Sequence, residues 1–172
     1  MLQEGEKPAL AILPPAFKVG HTPYFPDANV QEARRLFNEA LDELGIKKED
    51  LPPLTLNYNT SEYHQRIAQV IQEAWYTAFG LRIRLQQEEW KVHYQKLLSG
   101  DFQMGGMTWF SWLKDPICIM QTFRYKNDGI NMSRWEHPVY QKLLAATEEE
   151  YDPDKRLELF HTAQQLLMEE KT

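Results

Sequence analysis

The sequence predicts an α/β fold, a mixed sheet flanked by helices and preceded by an extended N-terminal arm. Three observations carry that expectation. Short alternating runs at 54–58, 81–85 and 102–109 are separated by longer segments whose apolar residues recur every three or four positions. Gly45, Gly80 and Gly100 stand just past the ends of those longer segments, where a helix closes in a left-handed conformation. A length of 172 residues with 42% apolar and 12% aromatic content supplies enough material for a packed core.

The first 28 residues hold five of the ten prolines, Pro8, Pro14, Pro15, Pro23 and Pro26, and read as an extended, turn-rich arm. The remainder, 29–172, reads as one α/β lobe with no repeat and no flexible linker. Asn29 and Glu32 fit a capping box that starts a helix with Val30, Ala33, Phe37, Ala40, Leu41 and Leu44 on one face. Pro52-Pro53 breaks the chain before the first strand, Leu54 to Tyr58.

Thr60 or Ser61 caps the second helix, which runs to about Phe79 and is expected to bury Ile67, Val70, Ile71, Ala74, Trp75 and Ala78. Leu81 to Leu85 alternates as a strand with one wet face, and Trp90 to Leu98 forms a shorter helix. Phe102 to Trp109 is the third strand, weakened by Gly105-Gly106, where backbone approaches another group closely. Strand, helix, strand, helix, strand implies right-handed crossovers and a largely parallel or mixed sheet. After an irregular stretch to Arg134, Pro138 to about Glu149 is helical with Val139, Leu143 and Leu144 inward. Asp152-Pro153 then opens a last helix striped by Leu157, Phe160, Ala163, Leu166 and Leu167.

Composition narrows the function. A net charge of −6 argues against a nucleic-acid surface. No apolar run approaches the roughly 18 residues of a membrane span. Residues 1–7 are acidic and polar, unlike a signal peptide. The single cysteine, Cys118, forms no internal disulfide, and its Ile117-Cys118-Ile119-Met120 setting reads as a buried, inert thiol.

Enzyme chemistry finds almost no foothold. The histidines at 21, 64, 93, 137 and 161 show no ligand spacing, so no metal site is expected; His93 and Glu89 share a helical face as an exposed pair. No Gly-x-Ser-x-Gly, no phosphate-cradling loop and no other cofactor motif occurs. Glu88-Glu89 and Glu148-Glu149-Glu150 read as solvated helix faces. What remains is the cluster Trp109-Phe110-Ser111-Trp112 before Lys114-Asp115-Pro116, which is either a concave binding wall or core packing.

Several segments in succession resemble the peptide-binding (family five) solute-binding proteins of ABC importers. They are Pro8-Ala9 and Leu13-Pro14-Pro15, the Ala33-Arg34-Arg35-Leu36-Phe37 helix, and Leu56-Asn57-Tyr58-Asn59-Thr60-Ser61-Glu62-Tyr63-His64. The Ile67–Trp75 helix, the Gly80–Leu85 strand, Glu89-Trp90, Gly100-Asp101-Phe102, Thr108-Trp109, Asp115-Pro116 and the helix from Lys155 to Leu167 follow in the family's order. The resemblance implies the C-terminal lobe of a periplasmic or surface-anchored two-lobed protein that closes over a peptide. The N-terminal lobe of the same protein and the final return strands would lie outside this chain. A peptide or small-solute ligand and a membrane permease of an ABC importer are the implied partners, and no enzyme activity is implied.

Such a binder reads the backbone that every peptide shares, through strand-like pairing and hydrated pockets. By the resemblance the segment Thr108-Trp109-Phe110-Ser111 matches the strand that pairs with the ligand, with Thr108 and Phe110 acting through main-chain atoms, and Asn59 and His64 match polar lining positions. Helix capping is the competing role for Asn59, Thr60 and Ser61. Typical family members carry an amine-pairing aspartate where this chain has Trp112, and a basic group where it has Leu97. Asp115 matches the acidic residue before proline and reads as a loop-stabilising group. The alternative function is a freestanding α/β interaction module whose Trp-rich edge binds a partner protein.

Overall fold

The computed structural model describes residues 9–17, 24 and 27–169. The opening residues 1–7, much of the proline-rich segment, and His21 lie outside the described residues. The described chain forms two compact units, residues 28–108 and residues 109–169 with 9–17, 24 and 27. The dividing point falls within the stretch that the sequence reads as one lobe, at Thr108–Trp109.

The first unit is a three-stranded sheet with helices on its faces. Helix α1, Val30–Leu44, is capped by Asn29 Oδ1, which accepts from the Glu32 amide at 3.1 Å, and ends at Gly45 in a left-handed turn. The strands are β1, Thr55–Asn59, β2, Arg84–Glu88, and β3, Met104–Gly105. All pairings are parallel, in the order β2-β1-β3. Helix α2, Glu62–Phe79, connects β1 to β2, and α3, Trp90–Ser99, connects β2 to β3. Because the β1-to-β2 crossover moves outward to one edge and the β2-to-β3 crossover moves back across β1 to the other, right-handed connections put α2 and α3 on opposite faces.

The register shows what each face carries. Leu56 pairs with Leu85 and Met104, and these join Tyr58, Ile83, Ala68, Ile71 and Trp75 in an apolar cluster beneath α2. The alternate residues Asn57, Asn59, Gln86 and Glu88 belong to the face that α3 covers. Central β1 is buried on both sides, as a middle strand of a parallel sheet must be.

Several boundaries differ from the sequence reading. Ile83 and Leu85 do face the core, but the β2 ladder begins at Arg84 and continues through Gln86, Gln87 and Glu88, where composition gives no strand signal. The third strand stops after two residues. A Cβ on Gly105 would lie 2.5 Å from Leu97 Cδ2, so glycine here lets β3 pass directly under α3. On α2 the expected Ile71 and Trp75 pack inward and Ile67 and Ala78 are half-buried, but the fully buried position is Ala68, and Val70 and Ala74 are exposed. Gln72 takes part of that inner face by donating to the Ile83 carbonyl at 2.7 Å. Helix α1 buries no residue; Phe37 meets Phe79 at 4.9 Å, and Arg34 donates to the carbonyls of Ala78 and Thr77 that α2 leaves open at its end.

The second unit contains a short helix α4, Ile117–Met120, and a helical pair, α5, Pro138–Glu149, and α6, Pro153–Glu169. Its core is Met120, Tyr140, Leu144, Phe160, Ala163 and Leu167, with Leu13 from the proline-rich segment among them. The Leu13 amide donates to Gln164 Oε1 at 2.7 Å, which satisfies a glutamine buried in that core. On α5 Leu144 is buried and Leu143 packs against the core as expected, joined by Tyr140 and Thr147, whereas Val139 is exposed. Tyr140 Oη donates to the Met120 carbonyl at 2.7 Å, and burial pushes its phenol well above the ordinary range. Cys118 is half-buried, more open than its apolar neighbours imply. No described helix is long and apolar enough to cross a membrane.

Candidate functional site

In an open parallel sheet, ligands gather at the carboxyl ends of the strands, where the connections diverge to opposite faces. In the first unit that point lies between β1 and β3. Asn59 ends β1, Ser61 caps α2 by accepting from the His64 amide at 3.4 Å, and Gly106-Met107-Thr108 leaves β3. His64 Nε2 and Thr108 Oγ1 meet at 3.1 Å, so residues 44 positions apart close the mouth of the sheet. Asn59 Oδ1 and His64 Nδ1 are buried there without a partner among the described residues. The unit thus brings together three of the residues that the sequence singles out, Asn59, His64 and Thr108.

Beneath this mouth lies a polar layer that sequence reasoning missed. Glu88, at the end of β2, is almost wholly buried and receives Lys96 Nζ at 2.5 Å. Burial raises the Glu88 carboxyl, but hydrogen bonds from Lys96 and Asn57 outweigh it and hold the group below the usual carboxylate range. His93 is fully buried, with Nε2 2.9 Å from the Gly106 carbonyl and Nδ1 3.8 Å from Glu88 Oε2. Its partner is therefore Glu88 rather than Glu89, which instead caps α3 by accepting from the Lys91 amide. The Thr60 amide and hydroxyl both donate to the Glu88 carbonyl, tying the ends of β1 and β2. The available signal is a carboxylate, a histidine and a lysine spaced 88, 93, 96, which local alternation hides by ending the strand at Leu85, three residues short of Glu88.

In the second unit, Trp109, Phe110 and Trp112 are exposed, Trp112 at 81% of its full surface. The Phe110 and Trp112 rings meet edge to face at 5.2 Å, and Ser111 Oγ donates to the Leu113 carbonyl. Core packing is thus not what these rings do. Among the described residues, the main chain of 109–112 has no main-chain hydrogen-bond partner and adopts no regular strand.

Asp115 closes the aromatic segment. It accepts from the Ile117 amide at 2.9 Å and takes a two-pronged bond from Arg156, whose Nε also donates to the Thr147 carbonyl. Burial raises the Asp115 carboxyl, but the Arg156 pairing and the Ile117 amide outweigh this and keep it low. Asp115 is a loop anchor. A cleft of about 590 Å³ beside it is lined by Phe17, Lys114, Pro116, Pro153 and Leu157. Leu97, where the resemblance expects a basic group, is buried on α3 against Gly105. Among the described residues no group of three or more histidine, cysteine or acidic side chains is placed to hold a metal.

Comparison with known proteins agrees with this architecture. The model for bacterial extracellular solute-binding proteins, family 5 Middle, matches residues 1–131. The oligopeptide-binding protein OppA of Bacillus subtilis is 39% identical over 97% of this chain and 32% of its own length. The periplasmic murein peptide-binding protein MppA of Escherichia coli is 30% identical, over 99% of this chain and 32% of its own. The unliganded open form of the murein tripeptide-binding protein MppA superposes with a TM-score of 0.86 at 28% identity, covering 99% of this chain and 33% of that one. The chain therefore spans about a third of the length of these relatives. With the family match running from the first residue through β3 and the aromatic segment, this chain belongs to the bacterial extracellular solute-binding proteins of family 5.

Proposed function

We propose that the chain supplies ligand-contacting residues to a peptide-binding protein of an ABC importer, working with a further lobe that completes the cleft. The observation that carries this reading is the run of exposed rings at 109–112 whose main chain has no main-chain partner among the described residues. An extended peptide offers matching donors and acceptors at every residue regardless of its sequence, and rings beside it contribute contact area at low entropic cost. Thr108, Trp109, Phe110 and Ser111 contact the ligand in this reading, Thr108 and Phe110 through main-chain atoms. Asn59 and His64 contribute polar groups, whose buried unpartnered atoms would otherwise lack a use.

Trp112 sets the specificity. A ring in place of a carboxylate removes a charge-assisted bond to a free amine, so the ligand's amine is read by another group or is absent. The protein acts outside the cytoplasm, periplasmic or anchored at the cell surface, and the closed liganded form docks on the membrane permease. Closure is driven by contacts that exist only when both lobes grip the ligand. No step of this function requires catalysis.

The test is to purify the full-length protein without added ligand, denature it and identify what is released by mass spectrometry. A ladder of mixed short peptides is expected. Release of no peptide, or of a single non-peptide solute, would overturn the reading.

A further inference from the structure

The best-buried titratable side chain of the first unit, His93, has no part in the apolar core and no contact with the proposed ligand residues. Its geometry nevertheless leads to them. A carbonyl only accepts, so the 2.9 Å contact with Gly106 requires the proton on Nε2. Nδ1 then faces Glu88 Oε2 at 3.8 Å, and Glu88 is in turn held by Lys96. Turning the ring over would present carbon to both the carbonyl and the carboxylate, so one orientation is retained. Gly106 is also the residue whose amide donates to the Asn57 carbonyl at 3.3 Å, the last main-chain bond between β1 and the chain leaving β3. Two residues later Thr108 meets His64.

We infer that His93 is a positioning residue for ligand binding: by holding the Gly106 carbonyl, it sets the path of 106–108 and so the Thr108–His64 contact at the sheet mouth. The Lys96–Glu88 pair lies behind the ring, with Glu88 Oε2 3.8 Å from Nδ1, and Gly105 allows the approach because any larger residue would strike Leu97. The inference deepens the peptide-binding reading and rests on it for its effect on affinity. The structural part stands alone.

The experiment compares wild type, His93→Gln and His93→Leu. Glutamine places an amide donor near the position of Nε2, whereas leucine fills similar space with no donor. In nitrogen-15 spectra of the 172-residue chain, the His93 proton is expected on Nε2. The leucine variant is expected to shift the amides of 106–108 and the His64 ring, and the glutamine variant to restore them. In the full-length protein with tetra-alanine as probe, the leucine variant loses about tenfold in affinity, the scale of one buried hydrogen bond, and glutamine recovers most of it. A proton on Nδ1 alone, unchanged 106–108 signals in the leucine variant, or a glutamine variant that fails like leucine each overturns the inference. If the leucine variant does not fold, the wild-type tautomer and the glutamine variant decide. If wild type does not bind tetra-alanine or any peptide, the peptide reading fails while the spectra still judge the positioning role.

Discussion

The two units bury polar groups in different ways. In residues 109–169 and their N-terminal partners, the core polar side chains are satisfied: Gln164 by the Leu13 amide, Asn131 by the carbonyls of Tyr125 and Trp135, and Thr147 by the Leu144 carbonyl. In residues 28–108, Asn59 Oδ1 and His64 Nδ1 are buried without a hydrogen-bond partner among the described residues, and Glu88 Oε2 and His93 Nδ1 face each other at 3.8 Å, too far for a hydrogen bond, all on residues at or beside the carboxyl end of the sheet. Thr122 Oγ1 and Arg124 Nε are the exceptions elsewhere, in the loop after α4. A buried polar atom without a partner costs about 1–3 kcal/mol, so a cluster of them is not arranged for stability. One unit is a packed helical pair carrying an exposed aromatic segment. The other spends stability on a polar strand end.

The largest effect that would sharpen this contrast is on the apolar core. Phe160→Ala removes a fully buried ring and should lower stability by about 3–5 kcal/mol in urea denaturation. Amide exchange should accelerate through α5 and α6 while the His64–Thr108 region keeps its protection. Equal acceleration in both regions would mean the units unfold as one.

Gly105→Ala is the corresponding probe of the sheet. Leu97 is buried and has little room to yield, so overpacking should cost about 1–3 kcal/mol. Loss of the β3 amide protection should report it, and unchanged protection would mean that α3 rides further from β3 than described.

Acid gives a smaller and graded effect. Glu88 and Asp115 both lie below their ordinary values of 4.5 and 3.8 in the folded chain, so each contributes stability above that value. The contribution is lost as pH falls through the depressed folded value. The urea midpoint should therefore drop on acidification below about pH 4.5, and Glu88→Gln should flatten that drop by removing its share. An unaltered acid limb in Glu88→Gln would show that the Lys96 pairing contributes nothing measurable.

Much of the fold was legible because helices announce themselves at both ends. Asn29, Ser61 and the Asp152-Pro153 pair open helices, Gly45, Gly80 and Gly100 close them, and the stripe of Leu157, Phe160, Ala163 and Leu167 sits where its spacing predicts. Strands were harder. A five-residue run such as Arg84–Glu88 owes its place to parallel pairing with Thr55–Asn59, a contact between distant segments that local alternation does not encode. The inner face of α2 has a related cause: beside Ile71 and Trp75, Val70 and Ala74 satisfy a helical stripe as well as Ala68 does, and tertiary packing chooses Ala68. For the site, His64 and Thr108 could be named from family resemblance, but Glu88, His93 and Lys96 required knowing where β2 ends.

The polar residues that concealed β2 have a further consequence for solubility. In the order β2-β1-β3, β2 lies at one margin of the described sheet and pairs on one side only. Arg84, Gln86 and Gln87 are exposed along it. A margin rich in charged and amide side chains is a poor template for a stray hydrophobic strand, whether from another copy or from a misfolded neighbour. Wherever that margin meets solvent, the exposed Arg84, Gln86 and Gln87 make it a weak seed for aggregation.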